Sequence, residues 1–259
     1  MRFLTVELDH DKPYTLLLSG DGHKGVDQCD VPKYEQTFRN VLAGNRRLYA
    51  GMGDYCEYRK PDDKFYDTEA TNQRIDEQLD WLFAQWEMVK KRMIGAVIGN
   101  HEQGLCLKST INPIRRWCDN NGVFYMDDMV MITFRFPSGV IKTCVLTHGS
   151  GAAATKGAKV NKLNGFASKH DVDFVCMGHT HDLMSWVDVD LRYVPSKKGM
   201  KQVARYKTMG YTGSFYRTFI VDGTSYAQQK HYSPMPLGYL EAVIDPNKTI
   251  VDLIPVVME

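Results

Sequence analysis

Five short segments rich in histidine and aspartate are distributed along this chain, and each follows an apolar run. The segments are Asp21-Gly22-His23, Gly53-Asp54, Gly99-Asn100-His101-Glu102, Thr147-His148-Gly149 and Gly178-His179-Thr180-His181. Carboxylate and amide oxygens bind hard cations, and imidazole suits manganese, iron, nickel and zinc. The neighbouring glycines allow the sharp backbone turns that such donors need in order to converge. Together these segments predict a metal site.

The number of donors fits two ions. A lone histidine or aspartate at the end of a strand is most often an ordinary loop residue, but five such segments in one chain are not explained in that way. Two ions need about eight protein donors, and a carboxylate that bridges ions about 3.5 to 4 Å apart counts for both. Seven residues would then suffice: Asp21, His23, Asp54, Asn100, His148, His179 and His181.

The apolar runs that precede the segments predict how the donors converge. These runs cover residues 15–18, 48–50, 94–98, 143–146 and 174–177. They are rich in β-forming residues and short enough to be buried strands. In sheets with helical crossovers, binding groups converge at the carboxyl ends of the strands. We therefore expect every candidate ligand to lie where a strand ends, on one crevice.

Two helical patterns separate the first three segments, and a third pattern follows them. They cover residues 34–47, 71–92 and 112–121, and the last of them is followed by Gly122, which suits a C-cap. Alternation of strands and helices favours parallel pairing through crossovers in this half of the chain.

The second half of the chain favours paired strands. They are expected at residues 130–136, 140–146, 191–207 (a hairpin), 242–244 and 250–254. We expect a mixed α/β fold in one domain over residues 1–259, because no linker-like stretch divides the chain.

Composition limits the setting and the partners. The net charge of +1 gives no global preference for nucleic acid or membranes, so charge must be considered locally. We find neither a signal-peptide pattern nor an apolar run of about 18 residues, and therefore expect a chain that is not exported and does not span a membrane. Six scattered cysteines without a Cys-x-x-Cys pair are expected to be reduced, as in the cytoplasm. Cys56, two residues after Asp54, could approach the metals.

The order and the residue types of the five segments resemble those of the calcineurin-like metallophosphoesterase family. The family pattern is D-x-H, G-D, G-N-H-[ED], a lone H and G-H-x-H, and this sequence matches it at every ligand position between residues 21 and 181. The resemblance implies a four-layer sandwich, in which two mixed β-sheets pack face to face between outer helices. It also implies a dinuclear metal centre at the strand ends, with manganese expected and iron, nickel or zinc as alternatives.

The resemblance also implies a role for each residue of the segments. Asp21, His23 and His181 would hold one ion, Asn100, His148 and His179 would hold the other, and Asp54 would bridge them. A hydroxide between the ions would attack phosphorus, because metal coordination lowers the pKa of water toward neutrality. His101 would orient or protonate the leaving oxygen. Glu102 and Asp182 could orient imidazoles, or they could be solvated loop acids.

Local residues bear on the substrate. Asp54 is not followed by the D-R-G of the phosphoprotein phosphatases, which argues against that branch. Residues 191–217 carry seven Lys or Arg and interleaved aromatic residues, which suits a nucleic acid or nucleotide beside the metals, although a solvated hairpin would have the same composition. The glycine and serine around residues 210–215 resemble those of SbcD-type nucleases. Candidate substrate contacts are Arg205, Tyr211, Arg217 and His231.

These observations favour a metal-dependent phosphodiesterase or nuclease that acts on nucleic acid or nucleotides. One alternative is a phosphomonoesterase of small metabolites or phosphoproteins. The other is a non-catalytic interaction scaffold of the same fold, which the complete set of ligands and the presence of His101 disfavour.

Overall fold

The structure, a computed structural model, describes residues 1–58, 74–151, 153, 155–219 and 234–259. The helices in this part of the chain are α1 (Val31–Leu42), α2 (Ile75–Val89), α3 (Asn100–Ser109), α4 (Pro113–Asn121) and α5 (Lys156–Ala167). The strands are β1 (Arg2–Glu7), β2 (Tyr14–Ser19), β3 (Arg47–Met52), β4 (Met93–Val97), β5 (Phe124–Asp127), β6 (Met129–Arg135), β7 (Ile141–Thr147), β8 (Phe174–Met177), β9 (Leu183–Ser196), β10 (Gly199–Thr212), β11 (Gly238–Ile244) and β12 (Asp252–Val257).

These strands form two six-stranded mixed sheets. The first sheet has the order β1-β6-β7-β8-β10-β9, and the second has the order β12-β11-β2-β3-β4-β5. Strands β2, β3, β4 and β5 are parallel, as are β7, β8 and β10, while β11 and β9 join antiparallel at the sides. The expected mixed α/β fold with two mixed sheets is confirmed.

Alternating burial along the strands produces four layers. Leu16 and Leu18 of β2 face Ile132 of β6 and Leu146 of β7 in the core between the sheets. Leu17, with the opposite orientation, packs among α1, α2 and α4, which cover the outer face of the second sheet. Strands β7, β8 and β10 turn their other faces toward Leu163 and Ala167 of α5. Successive side chains of a strand point to opposite faces of the sheet. One face of each sheet therefore packs against the other sheet, and the opposite face packs against helices.

Side chains and turn residues fix the ends of the outer helices. Asp30 accepts a hydrogen bond from the backbone N–H of Lys33 at the start of α1, and Thr155 accepts one from Ala158 at the start of α5. Such bonds satisfy amides that have no partner within the helix. Helix α4 ends at Gly122, whose φ of 67° is left-handed, as expected for a C-cap glycine. No helix in the described ranges has both the length and the apolar character needed to cross a bilayer.

The expected elements agree with the observed ones, with three kinds of difference. The helix expected over residues 34–47 ends at Leu42, because Ala43-Gly44-Asn45-Arg46 turns the chain into β3. The second helix, expected over residues 71–92, is observed as Ile75–Val89, and residues 71–73 lie outside the described residues. The hairpin expected over residues 191–207 is longer, since β9 begins at Leu183 and β10 ends at Thr212.

Candidate metal centre

The candidate ligands follow the carboxyl ends of strands from both sheets. Asp21 and His23 follow β2, Asp54 follows β3, and Asn100 begins α3 after β4. These three strands are parallel neighbours of the second sheet, so their carboxyl ends point in one direction. The other three ligands follow parallel neighbours of the first sheet: His148 follows β7, and His179 and His181 follow β8. The expected convergence on one crevice is confirmed.

Left-handed backbone conformations mark the same residues. Five of the candidate ligands have positive φ angles: Asp21 (49°), His23 (51°), Asp54 (50°), His179 (69°) and His181 (58°). Few residues other than glycine adopt this conformation, and it costs of order 1 kcal/mol or more. Strain concentrated at five residues of one crevice is typical of a functional site.

The first donor cluster contains Asp21, His23 and His181. Nε2 of His23 lies 3.1 Å from Nε2 of His181, and Nε2 of His181 lies 3.4 Å from Oδ1 of Asp21. One donor atom from each of the three lies within 4.8 Å of the other two. Asp21 is fully buried, and its carboxylate also accepts the backbone N–H of His179, which ties the two sheets together at the site.

The second donor cluster contains Asn100, His148 and His179, and Asp54 lies beside it. Nε2 of His148 lies 3.1 Å from Oδ2 of Asp54 and 3.2 Å from Oδ1 of Asn100. Nδ1 of His179 lies 2.9 Å from the same Asn100 oxygen. Asp54 also groups with His23 of the first cluster and with His101. It therefore lies between the two clusters, as a bridging carboxylate must.

The donor set fits a pair of transition-metal ions. Imidazole and carboxylate ligands bind such ions at about 2.0 to 2.2 Å, which brings neighbouring donor atoms to about 3.0 to 3.5 Å from one another. The separations of 3.1, 3.4 and 3.2 Å fall in this range. Nε2 of His23 and Nε2 of His181 face each other, and either a shared proton or a shared cation would satisfy both lone pairs. The types of donor residue and the distances between their donor atoms therefore fit the metal ions that the sequence predicts.

Hydrogen bonds fix the tautomers that metal ligation requires. Nδ1 of His23 donates to the carboxylate of Glu57 at 2.9 Å, and Nδ1 of His148 donates to the carbonyl of Met52 at 2.8 Å. In the neutral form of both rings, which metal ligation requires, Nε2 carries the lone pair and faces the cluster. A hydrogen bond from the non-ligating nitrogen to a carboxylate or carbonyl is a regular feature of metal-bound histidine.

His101 lies beside the clusters in a different arrangement. Its Nδ1 donates to the carbonyl of Glu57 at 2.7 Å, and its Nε2 lies 4.0 Å from Oδ2 of Asp54. Its backbone N–H donates to Oδ1 of Asp54 at 2.9 Å. Because its side chain is only partly buried, Nε2 can reach both solvent and a substrate at the clusters. This position suits proton transfer.

Two acids that could have oriented imidazoles have other partners. Glu102 is buried and accepts the backbone N–H groups of Asp54, Tyr55 and Gly99, so it holds the two loops together. Asp182 pairs with Lys159 of α5, and Lys159 also donates to the carbonyl of Thr180. The pair anchors α5 to the loop that carries His179 and His181. Neither carboxylate contacts an imidazole among these hydrogen bonds.

Glycines give the donors their space. A Cβ on Gly99 would lie 2.1 Å from Oδ1 of Asp54, and one on Gly178 would lie 2.9 Å from Oδ2 of Asp21. Gly53 has φ +87°, and a Cβ there would lie 2.8 Å from Nδ1 of His148. Larger residues at these positions would displace the candidate ligands.

The protonation of the metal-free site shows how strongly its groups interact. Burial raises the pKa of Asp21 to about 7. Burial would also raise the pKa of Asp54, but the charges of His148 and His101 hold it well below its usual range. Burial would lower the pKa of His148, but the charge and hydrogen bond of Asp54 raise it to about 10. Burial and the neighbouring His148 lower the pKa of His179 to about 4. Such shifts are concentrated at functional sites.

The candidate substrate contacts have different surroundings. Tyr211 is fully buried, and its hydroxyl donates to the carbonyl of Lys159, which makes it a core residue with no exposed contact surface. Arg217 is exposed, and its guanidinium donates to the carbonyl of Asp27. Arg217 follows Tyr216, whose ring centroid lies 5.5 Å from that of His23, so it lies at the rim of the first cluster. His231 lies outside the described residues.

Arg205 lies at the far end of the first sheet. Strand β10 pairs with β8 only from Thr208 to Tyr211, so residues 199–207 extend beyond the end of β8 that is opposite to the clusters. Arg205 and Arg192 pair there with Asp171. The expectation that the basic stretch lies beside the metals is not met for residues 192–207, because the strand direction places them at the opposite end of the sheet.

The outer part of the β9–β10 hairpin has two different faces. Residues opposite each other in the register share a face, and one face carries the charged Asp188, Asp190, Arg192, Lys201, Arg205 and Lys207. The other face carries the exposed Val187, Val189, Leu191, Tyr193, Met200 and Tyr206. The charged and the apolar or aromatic residues alternate in the sequence, and in the structure they therefore lie on opposite faces of the hairpin. It does not form a combined phosphate and base surface.

Several residues at the site could not be found by reading the segments. Glu57 has no pattern to identify it, because its role depends on the turn that follows Asp54. Tyr216 contacts the rings of His23 and His181, and Ser214 donates to the carbonyl of Asp21. The glycine and serine of residues 210–215 were the only signal for this loop. Cys56 is buried in the core with burial raising the pKa of its thiol, and its sulfur donates to the carbonyl of Gln78.

Comparisons with known proteins find similarity of structure at low identity. No protein-family model matches this chain, and no curated protein matches its sequence. A predicted phosphoesterase from Streptococcus pneumoniae has 16% identity and a TM-score of 0.40, over 94% of this chain and 90% of that chain. A single mutant of Vps29 from Entamoeba histolytica has 12% identity and a TM-score of 0.42, over 95% and 99% of the two chains. Wild-type Vps29 complexed with zinc has 12% identity and a TM-score of 0.40, over 94% and 98%. At values this low, function has to be argued from the site itself.

Proposed function

We propose that this chain is a dinuclear metal-dependent phosphoesterase that hydrolyses phosphodiester bonds in nucleic acid or nucleotides. The observation that carries the proposal is the position of Asp54 between two donor clusters, with separations that suit two ions. Asp21, His23 and His181 would hold one ion, and Asn100, His148 and His179 would hold the other. Manganese is the metal we favour, and iron, nickel and zinc suit the same donors.

The bound ions would supply a coordinated water of lowered pKa and positive charge that stabilises the phosphoryl oxygens in the transition state. The chain's own residues supply orientation and proton transfer. Glu57 and the carbonyl of Met52 hold the rings of His23 and His148. His101 faces the site through Nε2 and would give a proton to the leaving oxygen, which typically accelerates such reactions by about 10² to 10⁴.

The space beside the second cluster suits a phosphoester that carries a large organic group. A cavity of about 680 Å³ is lined by Asn100, His148 and His179 and continues along α5. Ligand sites of about 300 to 1,000 Å³ accommodate groups much larger than a single phosphate. The cavity offers room for one substituent of the phosphorus, which a nucleotide or a nucleic acid would supply.

A substrate panel tests the proposal. Purified protein with Mn²⁺ is expected to hydrolyse bis-p-nitrophenyl phosphate and to degrade a DNA or RNA oligonucleotide, and EDTA should abolish both activities. Hydrolysis of p-nitrophenyl phosphate or a phosphopeptide without any diester hydrolysis would favour a phosphomonoesterase instead. A folded protein that binds no Mn²⁺ by calorimetry would favour a non-catalytic scaffold.

A further inference from the structure

The cavity beside the second cluster is a groove along α5. Its α5 wall carries Lys162, Phe166 and Lys169, together with Asn161 and Gly165. Asp128, Met129 and Met177 line the groove from outside α5. Lys162 and Phe166 lie four residues apart on one side of α5, and Lys169 follows two residues after the helix ends at Ala167. The groove therefore presents basic, aromatic and apolar groups in a row that begins at Asn100 and His179.

The positive charge on the α5 wall is available to an anion. Lys162 Nζ donates to the backbone carbonyls of Ser150 and Gly151, which are neutral acceptors. No carboxylate pairs with Lys162 or Lys169 within the described part of the chain. Burial lowers the pKa of Lys162, and a bound anion would raise it again. Asp128 also lines the groove, and its charge repels an anion, so we expect the anion to lie beside the two lysines.

The same wall offers a ring and an open position. Phe166 is partly buried, and its ring lies 4.7 Å from that of His170, which holds it in place. Gly165, in the middle of α5, has nothing within 4 Å of a Cβ built on it, so no neighbouring atom requires glycine there. Glycine inside a helix costs about 1 kcal/mol relative to alanine. Its effect here is to leave the groove open beside Phe166.

We propose that this groove binds the nucleotide next to the scissile phosphate of a single-stranded nucleic acid, with a flanking phosphate at Lys162 and Lys169 and a base against Phe166. Basic residues that follow a backbone and aromatic faces that stack on bases are the means by which proteins bind single strands without sequence preference. The inference rests on the proposed function, because the groove starts at the second cluster. It replaces the β9–β10 hairpin as the basic and aromatic surface for the substrate.

Lys159 gives the groove a fixed position relative to the site. Its pairing with Asp182 and its bond to the carbonyl of Thr180 join α5 to the loop between His179 and His181. Tyr211 adds a hydrogen bond to the carbonyl of Lys159 from β10. A strand held along α5 would therefore be held in a constant relation to both clusters.

The test combines substitutions that alter the groove with controls on the same helix. Lys162→Ala/Lys169→Ala removes the charge, and Gly165→Leu fills the groove. Lys156→Ala and Gly157→Leu are the controls, because neither residue lines the cavity and a Cβ at Gly157 also meets nothing within 4 Å. Binding of fluorescein-labelled hexathymidylate is measured by anisotropy in EDTA. Turnover of hexathymidylate and of bis-p-nitrophenyl phosphate is measured with Mn²⁺.

Both groove variants are expected to bind hexathymidylate at least about tenfold more weakly than wild type, as the loss of one stacked base or phosphate contact implies. Their kcat/KM for hexathymidylate should fall at least tenfold further than that for bis-p-nitrophenyl phosphate, while the controls behave as wild type. Unchanged binding and turnover in folded groove variants would overturn the groove and leave the proposed function standing. An equal loss on both substrates would also overturn it. A wild-type protein that binds hexathymidylate but hydrolyses neither substrate would reject the proposed function and keep the groove.

Discussion

The carboxylate of Glu57 lies 2.9 Å from Nδ1 of His23, so a residue outside the five metal-binding segments holds one of the candidate ligands. Both side chains are almost completely buried. A carboxylate behind a ligating imidazole fixes its orientation and increases its basicity.

Removal of this carboxylate should weaken metal binding while the fold is kept. We expect Glu57→Ala to lower Mn²⁺ affinity about 10- to 100-fold, measured by isothermal titration calorimetry, with the far-ultraviolet circular dichroism unchanged. Glu57→Gln retains an acceptor for Nδ1 of His23 and should lose less affinity. A folded Glu57→Ala protein with wild-type Mn²⁺ affinity would show that the bond has no role in metal binding.

His101 should act in turnover and not in metal binding. His101→Ala is expected to keep two Mn²⁺ ions per chain and to reduce kcat for an oligonucleotide by about 10² to 10⁴. The reduction should be much smaller with bis-p-nitrophenyl phosphate, because nitrophenolate leaves without needing a proton. His10→Ala, a change at an exposed histidine outside the site, is the control. Loss of metal from the His101 variant would contradict this role.

Gly99 should be required for the position of Asp54. A Cβ at Gly99, the residue before α3, would lie 2.1 Å from Oδ1 of Asp54, whereas one at Gly104 within α3 meets nothing within 4 Å. We expect Gly99→Ala to lower the Mn²⁺ content measured by plasma mass spectrometry. Gly104→Ala should keep both ions and stabilise the helix by up to about 1 kcal/mol. Equal metal content in the two variants would show that the close approach at Gly99 is not needed.

The metal-free protein should lose stability between about pH 7 and pH 10. Burial opposes the charged form, but the hydrogen bond and charge of Glu57 raise the pKa of His23 from 6.5 to about 9. Asp54 raises that of His148 from 6.5 to about 10. Each ring thus keeps a proton in the folded chain that it loses in the unfolded chain. Their stabilisation is complete below pH 6.5 and is lost as the pH rises through about 9 and 10.

Urea unfolding of EDTA-treated protein across this range measures the effect, with a midpoint that should fall as the pH rises. The buried thiols of Cys144 and Cys176, whose pKa values burial also raises, contribute in the same direction. Glu57→Gln removes the His23 share and should make the slope less steep, while the His148 share, which depends on Asp54, remains. Protein saturated with Mn²⁺ should depend less on pH, because metal ligation needs the deprotonated rings. A midpoint that rises with pH in the metal-free protein would contradict these assignments.

The sequence predicted the site better than its surroundings. Asp54 and His179 could be identified because chemistry-bearing residues next to glycine, after β-rich runs, have few other uses. The candidate ligands converge as the sequence predicted because parallel neighbouring strands have their carboxyl ends at the same edge of a sheet. Strand direction also explains why the expectation for Arg205 was wrong, because composition does not show that β10 reaches β8 only at Thr208, after Arg205.

Elements without a clear pattern were missed for physical reasons. Helix α5 has two glycines and buries only Lys159, Leu163 and Ala167, so it has no apolar stripe to recognise. Helix α3 buries only Glu102 and Leu105. Glu57 shows the same limit within the site. Its role comes from a contact across the crevice that no local spacing encodes.

The number of manganese ions bound by wild type and by Asp54→Asn tests the two-ion site most directly. Asp54 is nearly inaccessible and groups with donors of both clusters, and asparagine has the same shape without the charge that a bridging ligand supplies. By calorimetry and plasma mass spectrometry, we predict about two Mn²⁺ per wild-type chain and a loss of both, with diester hydrolysis, in the folded Asp54→Asn protein. A variant that keeps two ions with wild-type affinity, or a wild-type chain that binds none, would contradict the shared carboxylate on which the account depends.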